Sequence, residues 1–144
     1  MNPNPQSNII TIRSYNPQDY QGVKDTLKDA GLFNEDMDAE IRYTNKIFSS
    51  PDSILIAWDG QQIIGCIVIV EEWGPLLFRL AIRQSYRNKG IGSSLLENAE
   101  MYLRKKYHRE AHLLVDDSDR DLIRFYEKRG YQKGNVFRWL VKKL

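Results

Sequence analysis

Arg87, Lys89, Gly90 and Gly92 are the residues whose types and spacing point most directly to chemistry. They lie in the run 80–97, Leu-Ala-Ile-Arg-Gln-Ser-Tyr-Arg-Asn-Lys-Gly-Ile-Gly-Ser-Ser-Leu-Leu-Glu. An apolar, strand-like segment enters a polar turn, and a helix-like segment leaves it. The first N–H groups of a helix have no intrahelical partner and carry the positive end of the helix dipole. Such an end accepts phosphate oxygens. Gly90 and Gly92 have no Cβ, so an anion can approach the backbone closely. With the two cations beside them, the segment reads as a pyrophosphate cradle.

Three kinds of glycine-rich cradle fit a strand–turn–helix. A P-loop requires Gly, four residues, then Gly-Lys-Ser/Thr, which this chain lacks. A dinucleotide fingerprint requires a third glycine, and Leu95 stands there. The remaining pattern is Arg/Gln-x-x-Gly-x-Gly/Ala after a strand ending Leu-x-Ile/Val. Arg87, Gly90 and Gly92 match it, preceded by Leu80 and Ile82. This run resembles the acyl-CoA-binding motif of the GNAT superfamily of N-acyltransferases. A second match follows: Phe125-Tyr126-Glu127-Lys128-Arg129-Gly130-Tyr131 resembles that family's Tyr-Glu-Lys-x-Gly-Phe signature. Asp119 departs from the asparagine that relatives often carry, and a carboxylate donates no hydrogen bond.

The resemblance spans roughly residues 9–141 and implies transfer of an acetyl group from acetyl-CoA, as co-substrate, to a primary amine in a ternary complex. It implies that Leu80, Ala81 and Ile82 pair with the pantetheine, and that Arg87, Asn88, Lys89, Gly90, Ile91, Gly92 and Ser93 hold the pyrophosphate. Tyr126 matches the tyrosine placed near the CoA sulfur. A phenol of pKa about 10 can donate to a thiolate whose conjugate acid lies near 8.5. The general base is less defined, because the strand 76–82 carries no carboxylate. Glu72 is the first choice, with Glu71, Asp116 and Asp117 as alternatives. Arg79 is a charge in an apolar strand, to be explained by pairing with Glu71 or Glu72 or by binding a substrate carboxylate. The alternative function is a non-catalytic acyl-CoA-binding sensor or interaction domain on the same fold. A third reading is a nucleotide-binding enzyme.

The elements around these residues follow from patterning. Strands are expected at 9–13, 53–58, 62–71, 76–82, 112–115, near Tyr131 and at 136–142. Helices are expected after Asn16-Pro17, over 36–48, after Gly92 and over 122–129, with Gly130 as a helix stop. Asp59-Gly60 is a hairpin signal. The order is β-α-α-β-β-β-α-β-α-β-β. This is an α/β (α+β) class with a mixed sheet, and the resemblance implies a GNAT-like splayed sheet flanked by helices. Met37, Ile41, Thr44 and Phe48 fall roughly on one side of the second helix. Phe33, Tyr43, Phe48 and Trp73 are candidate pocket residues. Glu35, Asp36, Asp38 and Glu40 read first as a solvated helix face, and second as an acidic mouth for a cationic amine.

With 144 residues, one domain over 9–144 is expected after a loose tail at 1–8. A net charge of +2 argues against nucleic acid or anionic membrane as the main partner. The amine substrate is a small molecule or peptide, and the protein a monomer or homodimer. Cys66 is alone and lies in an apolar run, which excludes an internal disulfide and favours a buried hydrophobe. His108 and His112 make no zinc-ligand spacing, so no metal is expected. No apolar run approaches the roughly 18 residues of a membrane span, and no secretory leader is recognisable. The expected compartment is the cytoplasm.

Overall fold

The structure, a computed structural model, describes residues 9–144; the tail expected at 1–8 lies outside the described residues. In chain order the elements are β1 (Thr11–Ser14), α1 (Tyr20–Asp29), α2 (Glu40–Ser49), β2 (Ile54–Trp58), β3 (Ile63–Val70), β4 (Leu76–Ile82), α3 (Ile91–Lys105), β5 (His112–Leu113) and α4 (Arg120–Glu127). The chain forms two compact units, one running to Leu113 and the other Leu114–Leu144.

In the first unit, β1 to β4 form an antiparallel meander in sequence order and β5 joins β4 in parallel. Asp59 closes the β2–β3 hairpin, its carboxylate accepting from the N–H groups of Gln61 and Gln62, both at 2.7 Å. α3 packs on one face. Leu95, Leu96, Ala99 and Leu103 are buried at helical spacing. Gly65 lets it approach, since a Cβ there would stand 2.9 Å from Ile82 Cδ1 and 3.0 Å from Leu95 Cδ1. α1 and α2 cover the other face, where Val23, Leu27 and Tyr43 pack with Ile54, Ile56, Cys66 and Ala81. Burial pushes the Cys66 thiol pKa up to about 12, consistent with an inert core position.

α2 begins at Glu40, later than the expected Asp36. Asn34 captures the intervening backbone: its Oδ1 accepts from the N–H groups of Asp36 at 3.1 Å and Met37 at 2.8 Å. Such side-chain bonds compete with helix formation. The helix then turns Tyr43 inward, while Met37, Ile41 and Phe48 are exposed. The apolar side expected for this helix therefore faces outward.

In the second unit, Asp119 caps α4 by accepting from Leu122 N–H at 3.1 Å. Gly130 follows at φ +92°, and Tyr131 N–H returns to the Tyr126 carbonyl at 3.2 Å. The strands expected near Tyr131 and at 136–142 do not form. The apolar residues at 136, 137, 139, 140 and 141 do not alternate, so the run has no single face to seat on a sheet. Val136, Phe137, Trp139, Leu140 and Val141 are exposed. β5 is likewise shorter than the expected 112–115.

Candidate functional site

The site is built around β4. Its first two residues pair on both sides, Leu76 with Val70 and His112, Leu77 with Ile69 and Leu113. Beyond Leu77 the β5 ladder stops, and β4 continues as a one-sided strand through Ile82. Between Leu77 and Ile82 the strand also changes phase. Cys66 faces Ala81 and Val68 faces Phe78, so Ile67 alone spans Arg79 and Leu80. This is a bulge, and Arg79 takes φ +55°, a strained conformation for a residue with a Cβ. Ala81 is buried, while Leu80 and Ile82 are partly exposed.

The bulge re-aims Arg79. Simple alternation would set it opposite Phe78, and pairing with Glu71 or Glu72 was the expectation. Instead its Nε donates to Asp38 Oδ1 at 3.0 Å, on the face that carries α1 and α2. Asp38 is only 1% exposed, so it is no solvated helix residue. Its carboxylate also accepts from Tyr43 Oη at 3.1 Å and from Asn34 N–H at 2.9 Å, and its carbonyl accepts from Tyr20 Oη at 2.9 Å. A buried carboxylate requires this degree of compensation. Burial, together with the Asp38 charge, raises the Tyr43 pKa and keeps it a donor.

The cradle turn follows β4 directly and is tied from three directions. Arg83 N–H donates to the Ile64 carbonyl at 2.8 Å and Arg83 Nε to the Ile63 carbonyl at 2.7 Å. Gln84 N–H and side chain both donate to Asp29, at 2.7 and 2.8 Å. Tyr86 Oη donates to buried Asp59 at 2.5 Å. Burial alone would raise the Asp59 pKa; the bonds from Tyr86, Gln62 and Gln61 outweigh it and lower it. Asn88 and Gly90 take positive φ, +61° and +80°, and Gly90 is the N-cap of α3. The first helical bond is Ser94 N–H to the Gly90 carbonyl at 3.1 Å, so the N–H groups of Ile91, Gly92 and Ser93 precede it. A Cβ at Gly90 would meet nothing within 4 Å, which leaves the approach open. Arg87 and Lys89 are exposed beside it, the Lys89 Nζ lying 5.2 Å from the Tyr86 ring centroid. This arrangement fits a diphosphate: a helix N-terminus, an open approach at Gly90 and two exposed cations.

The candidate bases separate by their partners. Glu71 is occupied, with Tyr102 Oη at 2.9 Å and His108 Nε2 at 2.7 Å. Glu72 has one oxygen near its own and Glu71's backbone N–H, the latter at 3.0 Å, and the other 3.8 Å from Lys46 Nζ. These hold its carboxyl below the usual range, yet its side chain stays half exposed. Asp116 accepts from Ser118 N–H and hydroxyl. Trp73 and Phe48, named as pocket residues, are almost fully exposed, whereas Tyr43 is core. In the second unit Tyr126 is buried against the Phe125 and Tyr131 rings, and burial pushes its pKa up to about 12.

Three ties escaped sequence reading: Asp38–Arg79, Asp59–Tyr86 and Asp29–Gln84. Asp59 was legible as a turn residue, but its reach to a tyrosine 27 positions away has no local signal.

The sheet thus loses a parallel neighbour partway along β4, and the chain then turns into α3 through a glycine cradle. The sequence model of the acetyltransferase (GNAT) family matches residues 18–131, and the chain belongs to that family. Two curated relatives from Bacillus subtilis (strain 168), YxbD and YdhI, are 32% and 33% identical over 79 and 85 residues. The matches cover 55% and 59% of this chain but 49% and 52% of those proteins, so the chain spans about half the length of the curated relatives it matches. The solved paia N-acetyltransferase of Thermoplasma acidophilum, in complex with coenzyme A, superposes with a TM-score of 0.80 at 22% identity, covering 90% of this chain and 93% of that one. At that identity the likeness concerns the fold. Family membership supports acyl transfer in general.

Proposed function

We propose that the protein moves an acetyl group from acetyl-CoA to a primary amine by direct attack within a ternary complex. The observation that carries this reading is the continuity of one-sided β4 into the cradle. The backbone of Leu80, Ala81 and Ile82 lies where an extended pantetheine can add as a strand, and it feeds straight into donors suited to a diphosphate.

In this reading the turn 87–93 anchors the pyrophosphate. Glu72, acting through water, accepts the proton that the attacking amine gives up. It is favoured over Glu71 because Glu71 already holds Tyr102 and His108. The new bond joins the amine nitrogen to the acetyl carbon, and the carbon–sulfur bond breaks. Tyr126 donates its phenolic proton to the departing thiolate; its raised pKa keeps it protonated at neutral pH. Residues 9–144 act as one domain, in the cytoplasm, on a small-molecule or peptide amine, without metal or nucleic acid. Among the described residues no helix is long and apolar enough to cross a membrane.

The test is an amine-library assay that follows release of free CoA thiol, beside calorimetry with acetyl-CoA. Tyr126→Phe should cut turnover roughly 10²-fold or more while acetyl-CoA affinity holds. Glu72→Gln should lower turnover and remove the acid limb of the pH–rate profile, which for wild type should lie below the usual glutamate range because the Glu72 pKa is lowered. Acetyl-CoA binding with no turnover on any amine would instead select the sensor reading, which the absence of a carboxylate in β4 favours.

A further inference from the structure

Buried Asp38 holds the guanidinium of Arg79 through one of its three nitrogens. Asp38 takes only the Nε of Arg79, at 3.0 Å. Tyr43 Oη donates to the same oxygen of Asp38 and Asn34 N–H to the other. The two terminal nitrogens of Arg79 take no part in the pair. Among the described residues their one contact is Nη2 to the Met37 sulfur at 3.8 Å, a weak acceptor. The Arg79 side chain is 20% exposed, against 2% for Asp38, so the pair is not sealed from solvent. A guanidinium fork matches a carboxylate in a planar, two-bond geometry. The backbone beneath it is strained at φ +55°, and strain of this kind persists where the surrounding structure enforces it and collects at ligand clamps. Arg79 also belongs to the part of β4 that has lost its β5 neighbour.

We infer that Arg79, pinned by buried Asp38, presents its free edge to a carboxylate on one of the two reactants. The inference rests on the acetyl-transfer reading, because it is that reading which brings reactants along residues 78–82. The carboxylate has two chemical sources: the acceptor, as in an amino acid, or the acyl chain, as in a dicarboxylic acyl-CoA. A site that expects a carboxylate discriminates against the carboxamide, because an unpaired guanidinium edge is left behind.

The experiment uses the full chain in two arms. In the first, acetyl-CoA is the donor, and amino acids are compared with their amides as acceptors. In the second, succinyl-CoA is compared with butyryl-CoA on one amine that carries no carboxylate. The expected result is a preference in kcat/KM of about tenfold or more for the carboxylate form in one arm, which identifies the reactant that bears it. Arg79→Gln should erase that ratio, and Arg79→Lys should restore part of it. Since Arg79→Gln strands the Asp38 charge, Arg79→Gln/Asp38→Asn removes both charges and is read in the same way if the single variant does not fold. Equal rates for carboxylate and neutral forms in both arms overturn the inference, as does a preference that survives Arg79→Gln. Calorimetry separates the two readings. N-acetyl amino acids and their amides are titrated into the CoA-saturated protein, and succinyl-CoA and butyryl-CoA into the free protein. Arg79-dependent selectivity without turnover keeps this inference and sinks the enzymatic one. Turnover without selectivity sinks this one alone.

Discussion

The two faces of the sheet are built by different rules. The α3 face is apolar packing: Leu95, Leu96, Ala99 and Leu103 are all buried, and each contributes only hydrophobic contact. The α1–α2 face buries polar groups in quantity. Thr26 donates to the Gly22 carbonyl at 2.8 Å, Asp38 collects three donors on its carboxylate, and Tyr43 is held there by one of them. Apolar packing tolerates error in direction, because dispersion and burial have none. Buried polar groups tolerate very little, because each must meet its partner or forfeit its hydration. Both faces supply apolar packing, and the α1–α2 face in addition fixes the orientation of Arg79.

This contrast is open to attack from either side. The largest effect should come from Leu103→Ala, in the last turn of α3. It should cost about 2–5 kcal/mol in urea unfolding while acetyl-CoA affinity in the folded protein stays within about twofold. A matching loss of affinity would mean that the apolar face also tunes the site. Next is Gly92→Asp, which sets bulk and negative charge at the helix end that should receive phosphate. Acetyl-CoA affinity should fall at least about tenfold, about 1.4 kcal/mol, with the circular dichroism spectrum retained. Unchanged affinity by calorimetry would remove the cradle from the site.

The smallest effect belongs to Tyr86→Phe, which cuts the tie between cradle and hairpin. Acetyl-CoA affinity should weaken roughly threefold to tenfold, with kcat at saturation unchanged. The same variant has a pH signature. Asp59 has a lowered folded pKa, so its contribution is complete above the ordinary aspartate pKa and is lost as pH falls through the lowered one. Tyr86→Phe moves that folded pKa back up. The stability gap between wild type and variant, read from urea midpoints, should be open near neutrality and close in acid. A gap of constant size would show that Tyr86 acts through packing alone.

What was legible in the residues was local. The hairpin at Asp59-Gly60, strand 76–82 and the helix after the cradle follow from turn chemistry and periodicity, and the structure has them there. Two kinds of feature were hidden. One is competition for the backbone: Asn34 claims N–H groups at 36 and 37 that the periodic pattern assigned to a helix. The other is pairing between distant residues. The partner of Arg79 depends on a bulge, and a bulge is visible only when two strands are counted against each other. Glu71 and Glu72 were nearer in sequence, but Asp38 lies 41 positions away on the face that the bulge exposes to Arg79. The C-terminal run 136–141 misled for a simpler reason, since apolar content without alternation does not specify a strand.

The extra residue in β4 has a consequence that no point substitution can reach. It divides the strand into two segments of opposite parity. Deleting Leu80 would leave the composition of the strand almost untouched and give it one continuous rhythm. Counted against β3, the pairs Phe78–Val68, Ala81–Cys66 and Ile82–Gly65 would then bracket Arg79 opposite Ile67 without interruption, so the outgoing chain would keep its faces while Arg79 turned to the side opposite Phe78, away from Asp38. The extra residue therefore sets where Arg79 points and leaves the glycine turn where β3 fixes it, so the length of this strand, more than the identity of any residue in it, decides whether the arginine reaches the face of Asp38.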